Sequence, residues 1–157
     1  MEDWPEPKNK AELHSFLGFM QFLATSIKSY AAIVAPLTDL LKTDAAWKWG
    51  EREVSAFQSV KIAASQAPSL KLIDPEDPQA TFEIHIDASG FAIGAVLYQQ
   101  HEGKLLPVAF HSRKLNPAEN NYHTTDQEML AIVDACRHWR HYLRGMEFNV
   151  KTDHKAL

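Results

Sequence analysis

Asp87, Glu128 and Asp153 are acids at points where an apolar pattern stops or starts, and three carboxylates brought together do the work of a metal site. Clustered without Lys or Arg beside them, they repel one another and cannot all stay ionised unless something cancels the charge. A hard divalent cation, Mg²⁺ or Mn²⁺, does so with carboxylate and water ligands. The single cysteine, Cys136, allows neither an internal disulfide nor a cysteine-rich zinc site, so oxygen or histidine must hold any metal. Each acid also has a plainer explanation. Glu128 is placed to close a capping box, Asp87 to start a turn before Ser89-Gly90, and Asp153 to end an exposed strand.

The elements around these acids decide whether they meet. Phe82, Ile84 and Ile86 alternate with Glu83, His85 and Asp87, which predicts a strand with one buried face and Asp87 on the polar side at its C-terminal end. Residues 92–99 and 105–111 read as two further strands joined through Glu102-Gly103, giving an antiparallel meander with Pro107 marking an edge. Thr125-Asp126-Gln127-Glu128 fits a capping box, followed by Met129, Ile132, Val133, Cys136 and Leu143 at helical spacing until Gly145. At about 100° per residue, Glu128 shares a face with Ile132, Ala135, Trp139 and Leu143. From Met146 to Thr152 the alternation returns, with Phe148 and Val150 on one side and Asp153 closing the strand. A strand, a long helix and a strand predict a crossover to a parallel neighbour, in a mixed α/β sheet. Asp87 and Asp153 then share the C-terminal strand edge, where open α/β sheets place their ligand crevices.

Upstream the period is helical. Asn9, with Glu12 three residues on, caps a helix from near Lys10 whose buried face is Leu13, Phe16, Leu17, Met20, Leu23 and Ile27. A second helix runs through Ile33, Val34, Leu37, Leu40 and Leu41 with Pro36 near its start. A third, from Glu51 to Ser65, turns Val54, Phe57 and Ile62 inward before Pro68. Trp47 and Trp49 are expected to pack this unit against the sheet, and Cys136 to be a small core residue. The prolines and acids of 72–78 mark a linker. The expected organisation is a helical unit at 1–70, a linker at 71–79 and a mixed-sheet domain at 80–157.

Charge and composition narrow the function classes. Hydrophobic residues are 45% and charged residues 23% of the chain, an ordinary globular balance, and no apolar stretch is long enough to cross a bilayer. The acidic start, Met1-Glu2-Asp3, lacks the features of an export signal, which predicts an intracellular protein, cytoplasmic or nuclear. A net charge of −4 argues against a general nucleic-acid binder. Residues 104–157, however, carry 8 Lys and Arg against 6 acids, while 1–103 carry 8 against 14, so only the second half suits a phosphate backbone. There Arg137, His138, Arg140, His141 and Arg144 form a basic turn, read either as a solvated end favourable to the helix dipole or as a phosphate-tracking surface. His138 and His141 lack a third matched ligand for a metal.

Beyond spacing, Asp87-Ala88-Ser89, Pro107 to Glu119, Asn121-Tyr122, Glu128 to Val133, Trp139 to Leu143 and Thr152-Asp153-His154-Lys155 resemble the ribonuclease H domain of Ty3/gypsy retrotransposon Pol polyproteins. Trp4-Pro5, Phe16-Leu17-Gly18, Ala35 to Leu41, Trp49 and Ala67-Pro68 resemble the end of the reverse transcriptase, its thumb and connecting helices, so the likeness spans nearly the whole chain. The resemblance implies an RNase H-like mixed sheet and metal-dependent hydrolysis of the RNA strand of an RNA/DNA hybrid, with the rest of the Pol polyprotein as a further partner. Two Mg²⁺ or Mn²⁺ ions are implied, Asp87 bridging both and Glu128 and Asp153 completing the leaving-group site. It further suggests nucleic-acid contacts at Ser89, Arg113, Lys114, Arg137, Arg140 and Arg144. A fourth acid is expected on a later helix beyond Leu157, so an incomplete catalytic domain, not active by itself, is anticipated. The polymerase's paired-Asp motif is absent, and Leu23-Ala24-Thr25 stands where the family commonly has an aromatic and two basic residues, which weakens the phosphate grip. The rival reading is a catalytically inactive RNase H-like scaffold or binding module. A phosphate loop at Asp87-Ala88-Ser89-Gly90 lacks the glycine array such loops need.

Overall fold

The computed structural model describes residues 4–67, 70, 81–88 and 90–152. Helices α1 (Lys10–Leu23), α2 (Tyr30–Leu40) and α3 (Glu51–Ser65) precede strands β1 (Thr81–Ala88), β2 (Ala92–His101) and β3 (Lys104–Lys114); helices α4 (Thr124–His138) and α5 (Arg140–Leu143) and strand β4 (Phe148–Thr152) follow. The expected linker, 71–79, lies outside the described residues, as do Pro68, Ser89 and Asp153.

α1 starts where its cap predicts. The Asn9 side chain accepts from the Glu12 N–H at 2.9 Å and donates back to the Glu12 carboxylate at 3.2 Å. It ends at Leu23, short of Ile27, in a 3-10 turn over Ala24–Ser26. Ile27 reaches the same apolar cluster from extended backbone, which an i+4 spacing cannot distinguish from another helical turn. α2 begins three residues before Ile33, so Pro36 lies inside the helix rather than near its start. α3 has the predicted bounds, with Gly50 at the N-cap donating to the Glu53 carboxylate at 3.0 Å. Its inner face is Ala56, Phe57 and Val60, whereas Ile62, expected inside, is 54% exposed. Trp47 and Trp49 stack at 5.5 Å within this helical cluster rather than packing it against the sheet, and Trp49 meets Phe57 edge-on.

The sheet order is β3-β2-β1-β4. β1 pairs antiparallel with β2 and parallel with β4, and β2 pairs antiparallel with β3, as the element order predicts. Glu102 and Gly103, with φ of 51° and 75°, form the two-residue turn between β2 and β3 that a right-twisted hairpin favours. Pro107 sits on β3, the outer strand of the described sheet, beside a bulge that leaves Val108 unmatched between Leu97 and Tyr98.

α4 covers one face of the sheet. Ala131, Ala135 and Trp139 interlock with Phe82, Ile84, Ile86, Ile93, Ala95 and Leu97 in one core, separate from the cluster formed by α1, α2 and α3. The expected capping box does not form. His123 is the N-cap without a side-chain hydrogen bond, and Thr125 lies inside the first turn. The buried stripe is Glu128, Ala131, Ala135, Trp139 and Leu143, close to the face Glu128 is expected to share, while Met129 and Val133, also at helical spacing, are 46% and 41% exposed. The helix also breaks at Trp139 (φ −99°, ψ 18°), where the buried indole anchors the junction with α5 and the Trp139 carbonyl accepts from Tyr142 and Leu143.

On the sheet's other face α2 lies against β3. Ser112 Oγ accepts from the Ala31 N–H at 2.8 Å, and Lys114 Nζ donates to the Ala35 carbonyl at 3.1 Å and to Asp39 at 3.0 Å. Burial opposes the charge on Asp39, but Lys42 and Lys114 more than offset it and hold its carboxyl below the usual range.

Candidate functional site

The parallel ladder between β1 and β4 runs from Phe82 opposite Phe148 to Ile86 opposite Thr152. It therefore delivers Asp87 one residue past its last rung. Ile86 faces the core beneath α4, and Asp87, following it by one, is exposed on the opposite face with Glu83 and His85. There the Glu83 carboxylate takes Lys151 Nζ at 2.8 Å and the His85 ring, which hold it below the usual carboxylate range. A cleft of about 340 Å³ beside Asp87 is lined by Lys28, His85, Tyr98, Lys151 and Thr152, among others.

Glu128 approaches the same strand ends from the α4 side. Its side chain is 3% exposed, and Thr152 Oγ1 donates to its Oε2 at 2.9 Å. Among the described residues it has no ion-pair partner. An ionised carboxylate shut away from water is costly unless charge or hydrogen bonds compensate it, and one neutral hydroxyl is partial compensation. Asp87, at the end of β1, and Glu128, on α4 without a cationic partner among the described residues, are both oxygen donors, the set a hard divalent ion prefers, although Asp87 is exposed on the face of β1 turned away from α4. Asp153, the third predicted ligand, and Ser89, a predicted nucleic-acid contact, lie outside the described residues. Among the described residues no three His, Cys, Asp or Glu gather as a metal site, so the structure brings Glu128 to the strand end that carries Asp87 and does not describe the third acid.

The other predicted contacts divide in two. Arg137, Arg140 and Arg144 are exposed around the α4–α5 junction. Arg113 and Lys114 have internal partners instead. Arg113 forks onto Glu119 at 2.9 and 3.2 Å and donates through Nε to Asp134 at 2.9 Å. Its charge is thereby locked on, and Glu119 is held below the usual carboxylate range, first by that bond and then by the Asn116 N–H. His111 Nε2 meets the second Asp134 oxygen at 2.7 Å and stacks on His138 at 3.8 Å. Burial and the neighbouring His111 push the His138 imidazole below its ordinary value.

This network fixes the approach to α4 and was not anticipated. Asn116 and Glu119 cap one another reciprocally at 2.9 Å, and the nearly buried Gln127 donates from the first turn of α4 to the Glu119 and Asn120 carbonyls. The spacing Asn116-x-x-Glu119 is a capping-box signal. Nothing local pointed to Asp134, Gln127 or Thr152.

Residues 77–157, just over half of the chain, match the family model described as the RNase H-like domain found in reverse transcriptase. Over 157 residues the chain is 38% identical to the Transposon Tf2-3 and Tf2-4 polyproteins of Schizosaccharomyces pombe (strain 972 / ATCC 24843), a match covering 98% of this chain and 12% of each polyprotein. The chain thus spans a small part of the curated relatives it matches. Among solved structures, the foamy viral protease-reverse transcriptase in complex with dsDNA is similar with a TM-score of 0.82 at 19% identity, covering 98% of this chain and 32% of that one. The foamy viral protease-reverse transcriptase in complex with an RNA/DNA hybrid gives 0.79 at 19% identity, covering 96% and 20%. At such identity the likeness speaks for the fold, and it agrees with the mixed four-stranded sheet. By its own sequence, then, this chain belongs to the RNase H-like domains found in reverse transcriptase, of the kind carried in retrotransposon polyproteins.

Proposed function

We propose that this segment serves in a retrotransposon polyprotein as a ribonuclease H, hydrolysing the RNA strand of RNA/DNA hybrids with divalent metal ions held by Asp87, Glu128 and Asp153. The observation that carries the reading is Glu128: a buried carboxylate with a hydroxyl but no cation among the described residues, set at the strand end that carries Asp87. When bound, Mg²⁺ or Mn²⁺ supplies an activated water and charge stabilisation at the leaving oxygen. The chain's own part is to present oxygen ligands on rigid elements and to orient the hybrid.

Arg137, Arg140 and Arg144 form the phosphate-facing surface of this reading, since their charges are exposed, whereas Arg113 and Lys114 are engaged within the fold. Hybrid recognition rests on backbone shape and the 2′-hydroxyl rather than on base sequence. The division into a helical unit at 1–70, a linker at 71–79 and the RNase H-like part at 80–157 is supported by the two separate apolar clusters. No described helix is long and apolar enough to cross a membrane, and the reading places the protein inside the cell, in a cytoplasmic replication particle or the nucleus.

The test is Mn²⁺ affinity together with hybrid cleavage. Asp87→Asn and Glu128→Gln should each weaken Mn²⁺ binding; unchanged affinity in both variants would sink the site. The alternative, an inactive scaffold, draws support from the uncharged 3-10 turn Ala24–Ser26 where the family commonly carries basic residues. Robust Mg²⁺-dependent cleavage of the RNA strand by this chain would eliminate it.

A further inference from the structure

We propose that Thr152 is a positioning residue, whose hydroxyl holds Glu128 Oε2 and so leaves Oε1 as the oxygen offered to a divalent ion. The inference rests on the reading of Glu128 as a metal ligand. Three features of the fold point to it. Thr152 lies on the last rung of the β1–β4 ladder, opposite Ile86, so its backbone is fixed by pairing with the strand that ends at Asp87. By the two-residue period of β4 it shares a side with Val150, which packs against the α4 core, while Lys151 faces the other way and reaches Glu83. Its branched β-carbon restricts χ1, so the hydroxyl is aimed before any ligand arrives.

Glu128 needs such a donor. Its neighbours along the helix stripe are Ala131, Ala135 and Trp139, none of which offers a proton to a carboxylate at this end of the helix. Without the bond from Thr152 the side chain would be free to rotate both oxygens about its terminal torsion. With it, one oxygen is committed and the other has a single direction. Partners of this outer kind orient metal ligands throughout metalloproteins, and their loss typically weakens metal affinity about 10- to 100-fold.

Thr152→Val keeps the shape and the strand and removes only the hydroxyl; Thr152→Ser keeps the hydroxyl and removes a methyl. Mn²⁺ binding to the full 157-residue chain, read from the electron paramagnetic resonance of the free ion, and melting temperature by circular dichroism should be measured for both and for Glu128→Gln. The expected result is Mn²⁺ affinity lowered about 10-fold or more in Thr152→Val, parental affinity in Thr152→Ser, and little change in melting for either. Parental affinity in Thr152→Val beside a loss in Glu128→Gln would overturn the positioning role while leaving the metal site standing. Affinity lost equally in Thr152→Val and Thr152→Ser, with melting lowered in both, would assign Thr152 to packing instead. Unchanged affinity in Glu128→Gln would overturn the metal site and this inference with it.

Discussion

Two acids of α4, Glu128 and Asp134, live under opposite conditions six residues apart. Asp134 is met by the Arg113 guanidinium on one oxygen and by His111 on the other. Burial alone would raise its pKa, but these donors more than compensate and hold it below the usual carboxylate range. Glu128 is more deeply enclosed, yet only the neutral Thr152 hydroxyl is paired with it among the described residues. A carboxylate whose charge is answered inside the fold works for the fold. One that meets only a neutral hydroxyl within the fold is open to a cation from outside, and that contrast separates the Arg113 network from the site at the strand ends.

The sharpest way to break this contrast is to neutralise each acid in turn. Glu128→Gln should reduce Mg²⁺-dependent hybrid cleavage in the active parent about 100-fold or more, as loss of a metal ligand would, with thermal stability of the apo protein unchanged or raised. A marked drop in apo melting temperature would show that Glu128 serves the fold as Asp134 does. The next effect belongs to Arg113. Arg113→Met should lower stability by about 2 kcal/mol through the half-buried Asp134 left with His111 alone, a figure reduced for partial exposure. Mn²⁺ affinity of the folded molecules should stay the same, and chemical denaturation beside Mn²⁺ titration checks both halves.

Acid should sharpen the same division more gently. His138 has its pKa lowered from the ordinary value of 6.5 by burial and by His111, with Asp134 opposing and His141 adding to the shift. A depressed folded pKa means that its contribution is present above about pH 6.5 and is lost as pH falls toward the folded value. Asp134 and Asp39, also depressed, add a second loss below about pH 4, the ordinary carboxylate range. Melting temperature against pH should therefore fall in two stages, and His138→Gln should remove the first; a single stage in both proteins would contradict this. The smallest effect is expected at Val133, on the outer side of α4. Val133→Lys should change stability by less than about 0.5 kcal/mol, measurable by urea denaturation, despite the residue's place in the apolar pattern of the sequence.

That last case marks how far the chain could be read without its fold. The strict alternation from Phe82 to Asp87 identified β1 and its polar end, because a period of two has a single structural meaning. The Asn9 cap located the start of α1 for an equally local reason. Apolar spacing on α4 was less decisive. Met129 and Val133 fit a helical period as well as Ala131 and Ala135 do, but the face shared by Glu128, Ala135, Trp139 and Leu143 is the one the sheet buries. Thr125 and Glu128 have the spacing of a capping box, but a carboxylate able to reach Thr152 does not turn back to its own N-terminus. Arg113 is expected as a nucleic-acid contact from the family resemblance, and its charge is answered inside the fold instead. Its two acidic partners lie 6 and 21 residues away, beyond any local pattern.

What the sequence determined by itself was everything that depends on neighbours along the chain: the strand and helix periods, the acids at element ends, and a family resemblance carried by short motifs in order. What only the tertiary structure decided was which groups answer which charges. Hydrogen bonds and ion pairs between Arg113 and Asp134, Thr152 and Glu128, or Lys114 and Asp39 join residues 21, 24 and 75 positions apart. Such pairs arise when packed elements fix the distance, and electrostatic energy depends on that distance and on burial rather than on order in the chain.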